Sequence, residues 1–305
     1  MARLETQLGD LRLRNPVLAA SGTFGYGLEL AGLVDLESLG GFVVKGISRE
    51  PIAGNPPPRI VETASGMINS IGLQNVGVEA FLRDKLPLLS KVDAAVVVNV
   101  FGYTPEDYVA VLERLEDAAG PAAYEINVSC PNTKCGGLQF GADPRLLGEV
   151  TALCRKAVSS KRPLWVKLSP NVGDIAVMAR AAEEAGADAV SLINTVQALA
   201  IDAETRKPKI GAGMGGLSGP AVKPIALRMV WQASRAVKIP VIGLGGVATG
   251  EDAAEFLIAG ATAVEVGTAS FWDPRRPARV AQELGRFLDR AGLASSAELV
   301  GTLEM

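Results

Sequence analysis

Short apolar runs recur along the chain with little polar alternation. They are NPVLAAS at 15–21, GFVVKG at 41–46, AAVVVNV at 94–100 and AAYEINVS at 122–129, then PLWVKLS at 163–169, DAVSLINT at 188–195, IPVIGLGG at 239–246 and TAVEVGT at 262–268. Strands covered on both faces read this way, because neither side of the pleat meets water. Between them lie stretches with apolar residues at helical spacing, such as TPEDYVAVLERLEDA, DPRLLGEVTALCRKAV, GDIAVMARAAEEAGA and GPAVKPIALRMVWQASRAV. These have Pro or Asp near their starts and Gly near several ends. Eight strand-helix units predict an α/β fold, a (β/α)8 TIM barrel. A doubly wound sheet is the competitor, but it carries GxGxxG after its first strand, and here that turn reads ASGTFGYG.

Ahead of the barrel, RLETQLGDLRLRN alternates around Gly9-Asp10, which predicts an N-terminal β-hairpin across the barrel bottom. Two connections are long: 47–78 after the second strand, with NPPPRI and GMINSIGLQN, and 196–219 after the sixth, with KPKIGAGMGGLSG. Long loops in a barrel are expected to act as lids or binding loops over the active site. No shift in composition divides the chain, so residues 1–305 are read as a single domain.

A chain of 305 residues that is 48% hydrophobic buries a large core, which excludes a disordered or fibrous protein. The net charge of −3 provides no basic field for nucleic acid or anionic lipid, so small molecules or proteins are the expected partners. Three cysteines, Cys130, Cys135 and Cys154, are too few for a disulfide framework and point to a reducing compartment. Cys154 falls at helical spacing and reads as core. The first residues, MARLETQLGDLRLRNP, contain no apolar run resembling a signal peptide or anchor, and a cytoplasmic location without membrane attachment is the expectation.

Active sites of such barrels form at strand C-terminal ends. Those positions hold Ser21, Lys45, Asn99, Asn127, Lys167, Asn194 with Thr195, Gly245 with Gly246, and Gly267 with Thr268. Singly, a strand-end lysine is a solvated charge and a strand-end asparagine a cap or turn residue. Together they converge on one mouth. Asparagine amides, two lysines and no acidic cluster suit a planar, hydrogen-bonding, electron-rich ligand and make little provision for a metal. The glycines of GLGG and EVGT let backbone N–H groups approach an anion, and the following helix start adds positive potential, so these two loops predict a phosphate pocket.

Cys130 lies in EINVSCPNTKCGG, after a strand, between Asn127 and Asn132 and next to Pro131. A lone cysteine is usually a small buried hydrophobe, but the polar PNTKC that follows sets this one in a loop over the site. CxxxxC without histidine is a poor zinc signature, and a Cys-His nucleophile is impossible in a chain with no histidine. What remains is a thiol acting alone, as base or nucleophile. A free thiol has a pKa of about 8.5, which a nearby lysine or polar loop lowers toward neutrality.

NVSCPN, NSIGLQN at 69–75, VKLSPN at 166–171, INT at 193–195 and the GLGG and VGT loops, in that order, resemble class 1 dihydroorotate dehydrogenase over essentially the whole chain. GGLQFGADP after NVSCPNTKC is most similar to the class 1B, NAD-linked catalytic subunit. The resemblance implies oxidation of (S)-dihydroorotate to orotate in pyrimidine (UMP) biosynthesis, with FMN as cofactor. The FMN phosphate would rest on Gly245, Gly246, Gly267 and Thr268. Ser21, Lys45, Gly46, Asn99, Asn127, Lys167, Ile193 and Gly219 would meet the remainder, Lys167 stabilising negative charge on the reduced ring. Dihydroorotate would be held by Lys45, Asn69, Ser70, Ile71, Gly72, Leu73, Asn127, Asn194 and Thr195, and Cys130 would be the general base.

The implied partners are a homodimer mate and an electron-transfer subunit carrying FAD and an iron-sulfur cluster, since three scattered cysteines cannot hold a cluster themselves. Two departures from the family pattern stand out. Gly46 replaces a common hydroxyl residue, and Cys135 is an additional loop thiol, idle or open to oxidation. Rival readings are a fumarate-using class 1A enzyme, a phosphate-binding barrel lyase or isomerase with a Schiff base on Lys167, and a non-catalytic flavin- or partner-binding barrel.

Overall fold

A computed structural model of the chain describes residues 2–129, 140–158 and 162–305; Cys130 and Cys135 lie outside the described residues. Its strands are β1 (Thr6–Leu8), β2 (Leu11–Leu13), β3 (Val17–Ala19), β4 (Gly41–Val43), β5 (Ile60–Thr63), β6 (Gly66–Asn69), β7 (Ala95–Val100) and β8 (Ala123–Asn127). They continue with β9 (Leu164–Lys167), β10 (Ala189–Leu192), β11 (Val196–Ala198), β12 (Ile201–Asp202), β13 (Lys207–Pro208), β14 (Gly215–Ser218), β15 (Val241–Leu244) and β16 (Ala263–Val266). The helices are α1 (Val78–Ala80), α2 (Leu86–Leu89), α3 (Pro105–Glu116), α4 (Pro144–Ala157), α5 (Ile175–Glu184), α6 (Lys223–Ser234), α7 (Gly250–Ile258), α8 (Ala269–Trp272) and α9 (Arg276–Ala291).

Eight of the strands, β3-β4-β7-β8-β9-β10-β15-β16, close into a parallel barrel in chain order. They are the eight predicted apolar runs, each trimmed to its paired residues. Alternation along a strand sends every second side chain inward. Leu18, Val43, Val97, Ala123, Trp165, Ala189, Ile242 and Ala263, one from each strand, form a dry inner layer. The outward residues, among them Val98, Ile126, Val166 and Val264, join the larger core beneath the helices. Starts of α3, α4 and α5 are fixed by Thr104, Asp143 and Asp174, whose side-chain oxygens accept from backbone N–H groups of the first turn. Cys154 is fully buried on α4, and burial pushes its thiol up to about 12. No helix among the described residues is long and apolar enough to cross a membrane.

The hairpin forms as expected. β1 and β2 pair antiparallel across Gly9-Asp10, and Leu8 and Leu13 pack against the inner layer, closing the barrel bottom.

One expectation needs correction, and another gains detail. The first crossover, from β3 to β4, contains no α-helix, only 3-10 turns at Leu28–Leu30 and Leu36–Ser38. Its glycines Gly22, Gly25 and Gly27 have φ of 86°, 58° and 85°, which breaks a right-handed helix. The two long connections are also more than loops: they pair with each other in a four-stranded antiparallel sheet, β11-β14-β6-β5. That pairing joins 66–69 to 215–218, segments nearly 150 positions apart, so no local pattern announces it. Close approach constrains the sheet at Gly216, where a Cβ would fall 1.9 Å from Thr195 Oγ1. Gly216→Val is therefore expected to lower stability by about 1–3 kcal/mol, the cost of overpacking, read as an earlier urea midpoint at constant slope.

Candidate active site

The mouth of the barrel, roofed by that sheet, opens into a cavity of about 800 Å³. Every candidate residue in the described part of the chain lines it. Strand ends supply Ser21, Lys45, Gly46, Asn99, Asn127, Lys167, Ile193, Asn194, Thr195, Gly245, Gly246, Gly267 and Thr268, and the long connections add Asn69, Ser70, Ile71, Gly72, Leu73 and Gly219. Cys130 falls outside the described residues.

The amide groups are oriented by one another. Asn194 Nδ2 donates to Asn127 Oδ1 at 3.4 Å, and that oxygen also takes the Ser129 N–H at 3.2 Å. Tyr108 donates to the Asn127 carbonyl at 2.9 Å, tying the end of β8 to α3. Asn171, not foreseen from sequence, bridges two strand ends. Its Nδ2 donates to Thr195 O at 3.1 Å and its Oδ1 accepts from Gln197 N at 2.9 Å. The 69–75 loop is held by Asn55, whose Nδ2 donates to Ser70 Oγ at 2.8 Å, and by the Ser70 N–H donating to Arg59 O at 2.8 Å. Leu73 sits at φ 58°, a left-handed conformation that costs a non-glycine residue about 1–2 kcal/mol. Asn75 Nδ2 donates to its carbonyl at 2.9 Å and fixes that conformation.

The residues at the expected phosphate end fit an anion. Gly245 and Gly246 have φ of 120° and 91°, and Cβ atoms there would strike Ala226 and Lys223 at 2.9 and 2.7 Å. Only glycine presents backbone N–H groups in that shape. The helix after Gly245-Gly246 does not add free positive potential, however. Thr249 and Asp252 form a capping box at the start of α7, and Glu283 Oε2 takes the Gly250 N–H at 2.9 Å. The start of α8, directly after Gly267 and Thr268, carries no side-chain cap. Thr268 Oγ1 lies 2.8 Å from Ser218 Oγ, linking this end of the cavity to β14.

No acid lines the cavity among the described residues, but two lie directly beneath it, where reading strand ends alone did not look. Two residues beyond the dry inner layer, on the same inward faces, come Asn99, Glu125, Lys167, Ser191 and Glu265. Both glutamates are 0% exposed. Lys167 Nζ is 3.4 Å from Glu125 Oε1 and 3.5 Å from Glu265 Oε2. Glu125 also accepts from Asn99 Nδ2 at 2.7 Å and Ser191 Oγ at 2.6 Å. Burial opposes the charge on Lys167, but the two carboxylates outweigh it and hold its pKa above the ordinary lysine value. Burial, and then the neighbouring Glu125, push Glu265 up to about 8. The signal was present in AYEIN and AVEV: a carboxylate inside an apolar strand run must find partners within the barrel.

A pH dependence of stability follows. A carboxyl whose folded pKa exceeds its ordinary value binds more protons folded than unfolded, so its contribution falls as pH rises from the ordinary carboxylate range to about 8. Glu265→Gln, which cannot ionise, is expected to be more stable than the parent above pH 8, with the gap closing toward acid pH in urea titrations. An equal offset at every pH would contradict the assignment.

Comparison with known proteins agrees with this geometry. The family model for dihydroorotate dehydrogenase matches residues 3–288. A Solibacter usitatus protein named "Putative dihydroorotate dehydrogenase A (fumarate)" is 65% identical, over 99% of this chain and 99% of its own. Proteins named dihydroorotate dehydrogenase B (NAD(+)), catalytic subunit, from Pelobacter propionicus and Trichlorobacter lovleyi, are 56% and 54% identical, each over 99% of this chain and 98% of its own. With a family match spanning nearly the whole chain, over a closed parallel barrel whose strand ends converge on one cavity, the chain belongs to the dihydroorotate dehydrogenase family.

Proposed function

We propose that this chain, as one domain, oxidises dihydroorotate to orotate in pyrimidine biosynthesis, with FMN across the barrel mouth and Cys130 as general base. The observation that carries the reading is the cavity: residues chosen from sequence as ligands of a flavin and a pyrimidine line one space of about 800 Å³. FMN supplies the hydride acceptor when bound.

The chain's own residues do the rest. Gly245, Gly246, Gly267 and Thr268 offer N–H groups to the phosphate. Lys167, kept charged by its carboxylates, provides fixed positive potential where negative charge develops. Asn127 and Asn194, held by the hydrogen bond between them, present amide groups to the pyrimidine edge. Lys45 faces the substrate carboxylate. The thiol of Cys130 takes the proton from the carbon next to a ring carbonyl as hydride departs from the neighbouring carbon. Two unlike pieces of hydrogen thus leave by two routes.

Anaerobic addition of dihydroorotate to the FMN-loaded chain should bleach the flavin band. A chain that binds FMN yet keeps its colour under these conditions lacks the activity. Lys45→Ala is expected to weaken dihydroorotate binding by about 10- to 150-fold, the worth of a charged hydrogen bond of roughly 1.5–3 kcal/mol, with FMN retained. Unchanged substrate affinity in a titration would remove Lys45 from the carboxylate site.

For the electron acceptor, the names of the Pelobacter and Trichlorobacter relatives favour NAD, reached through a partner subunit bearing FAD and an iron-sulfur cluster on a homodimeric core. The name of the Solibacter relative favours fumarate. We take the NAD reading, and turnover of the isolated chain with fumarate alone would replace it with the second.

A further inference from the structure

Beyond its strand-end ligands, the barrel carries a buried charge arrangement in which Glu125 and Glu265 reach one ammonium from β8 and β16. Glu125 is saturated: Asn99, Ser191 and Lys167 all donate to it. Glu265 has Lys167 as its one donor among the described residues and the Glu125 carboxyl beside it, and its Oε1 is buried without a donor. Below lies the dry layer containing Trp165 and Ile242, so no bulk water solvates either acid. One ammonium cannot balance two bare carboxylates in such a place, and a proton must be retained within the cluster. It belongs on the acid with fewer donors, Glu265.

On the FMN reading proposed above, we infer that Glu265 is a positioning residue for Lys167: it holds a proton beneath the flavin end of the cavity and thereby sets how the cofactor's reduction potential varies with pH. The groups that face it support this. Glu125 and Lys167 are the charged side chains contacting it, from β8 and β9. Its flanking partners across β15 and β3 are Leu244 and Leu18, which are uncharged. Helices α7 and α9 pack on the other face of β16, over Val264 and Val266, so their charges do not face it. Among the described residues, Lys45 is the other charged residue lining the cavity above.

With Glu265 neutral, Glu125 and Lys167 cancel, and charge arriving at the mouth meets Lys167 with a single carboxylate behind it. Ionised, Glu265 adds a second negative charge against the same ammonium and opposes reduction. Reduction must in turn raise the affinity of Glu265 for its proton, because linkage is reciprocal. Near pH 8 the protein should then take up extra proton at Glu265 when the cofactor is reduced.

Two measurements test this. In infrared difference spectra of the unaltered protein, a protonated-carboxyl C=O band should be present near neutral pH and vanish well above pH 8; Glu265→Gln should lack it throughout. In spectroelectrochemical titration of the FMN-loaded protein, the plot of midpoint potential against pH should steepen through that region, and Glu265→Gln should keep one slope. Absence of the band at neutral pH, or parallel plots for the two proteins, overturns the proposal. A chain that retains no FMN would sink the flavin reading and the potential half with it, and the band, which needs neither flavin nor variant, would still decide whether Glu265 holds the proton.

Discussion

Cys130→Ala is expected to slow reduction of bound flavin by dihydroorotate by about 10²- to 10⁴-fold, the usual contribution of a general base, with FMN content unchanged. The size of the effect follows from the lack of a substitute. The chain has no histidine. Lys167 is held in its protonated form and has no lone pair to offer. Glu125 is wholly buried and already accepts three donors, and Glu265 lies at the same depth with its charge suppressed. With the thiol removed, neither the Lys167 ammonium nor either buried glutamate is placed to accept the proton. Stopped-flow mixing under anaerobic conditions measures the step directly, and reduction at the parent rate in an FMN-replete variant would remove Cys130 from the mechanism.

Glu125→Ala is expected to destabilise the fold by about 3–5 kcal/mol, the range for breaking a buried ion pair from one side. The substitution strips Lys167 of its better-placed carboxylate and leaves Asn99 Nδ2 and Ser191 Oγ without their acceptor, all at buried positions. Glu125→Leu combined with Lys167→Met should recover much of that loss, because removing both charges also removes their desolvation cost. That double variant would be stable without the positive potential the flavin needs, which separates folding from function. Urea titrations at matched slope give both numbers. A single variant within about 1 kcal/mol of the parent, in the range of surface substitutions, would mean that the cluster is solvated after all.

How much of this was legible in the sequence depends on the distance over which each feature is decided. The eight strands were readable because a strand buried on both faces is apolar at every position, a property of five or six consecutive residues. The hairpin at Gly9-Asp10 and the starts of α3, α4 and α5 were equally local, set by a turn dipeptide and by Thr104, Asp143 and Asp174. The ligand candidates followed from one rule, that strand C-terminal ends meet at the mouth, and every one in the described residues lines the cavity. Glycines misled in one place: GLGG does open a positive-φ turn, but the helix after it spends its N-terminus on Thr249, Asp252 and Glu283.

By itself, then, the sequence determined the barrel and the polar residues at its rim, and it pointed to the Cys130 thiol, as base or nucleophile, in a chain without histidine. The tertiary structure alone decided what lies across the barrel from what. Glu125 meets Lys167 from the adjacent strand, whereas Glu265, 140 positions from Glu125, becomes a neighbour of Lys167 only when β16 closes against β3. In the same way, 66–69 and 215–218 become a roof only when two connections meet over the mouth. The reason is physical: burial and turn geometry are encoded in a few adjacent residues, whereas the partner of a buried charge is fixed by ring closure, which no stretch of chain contains.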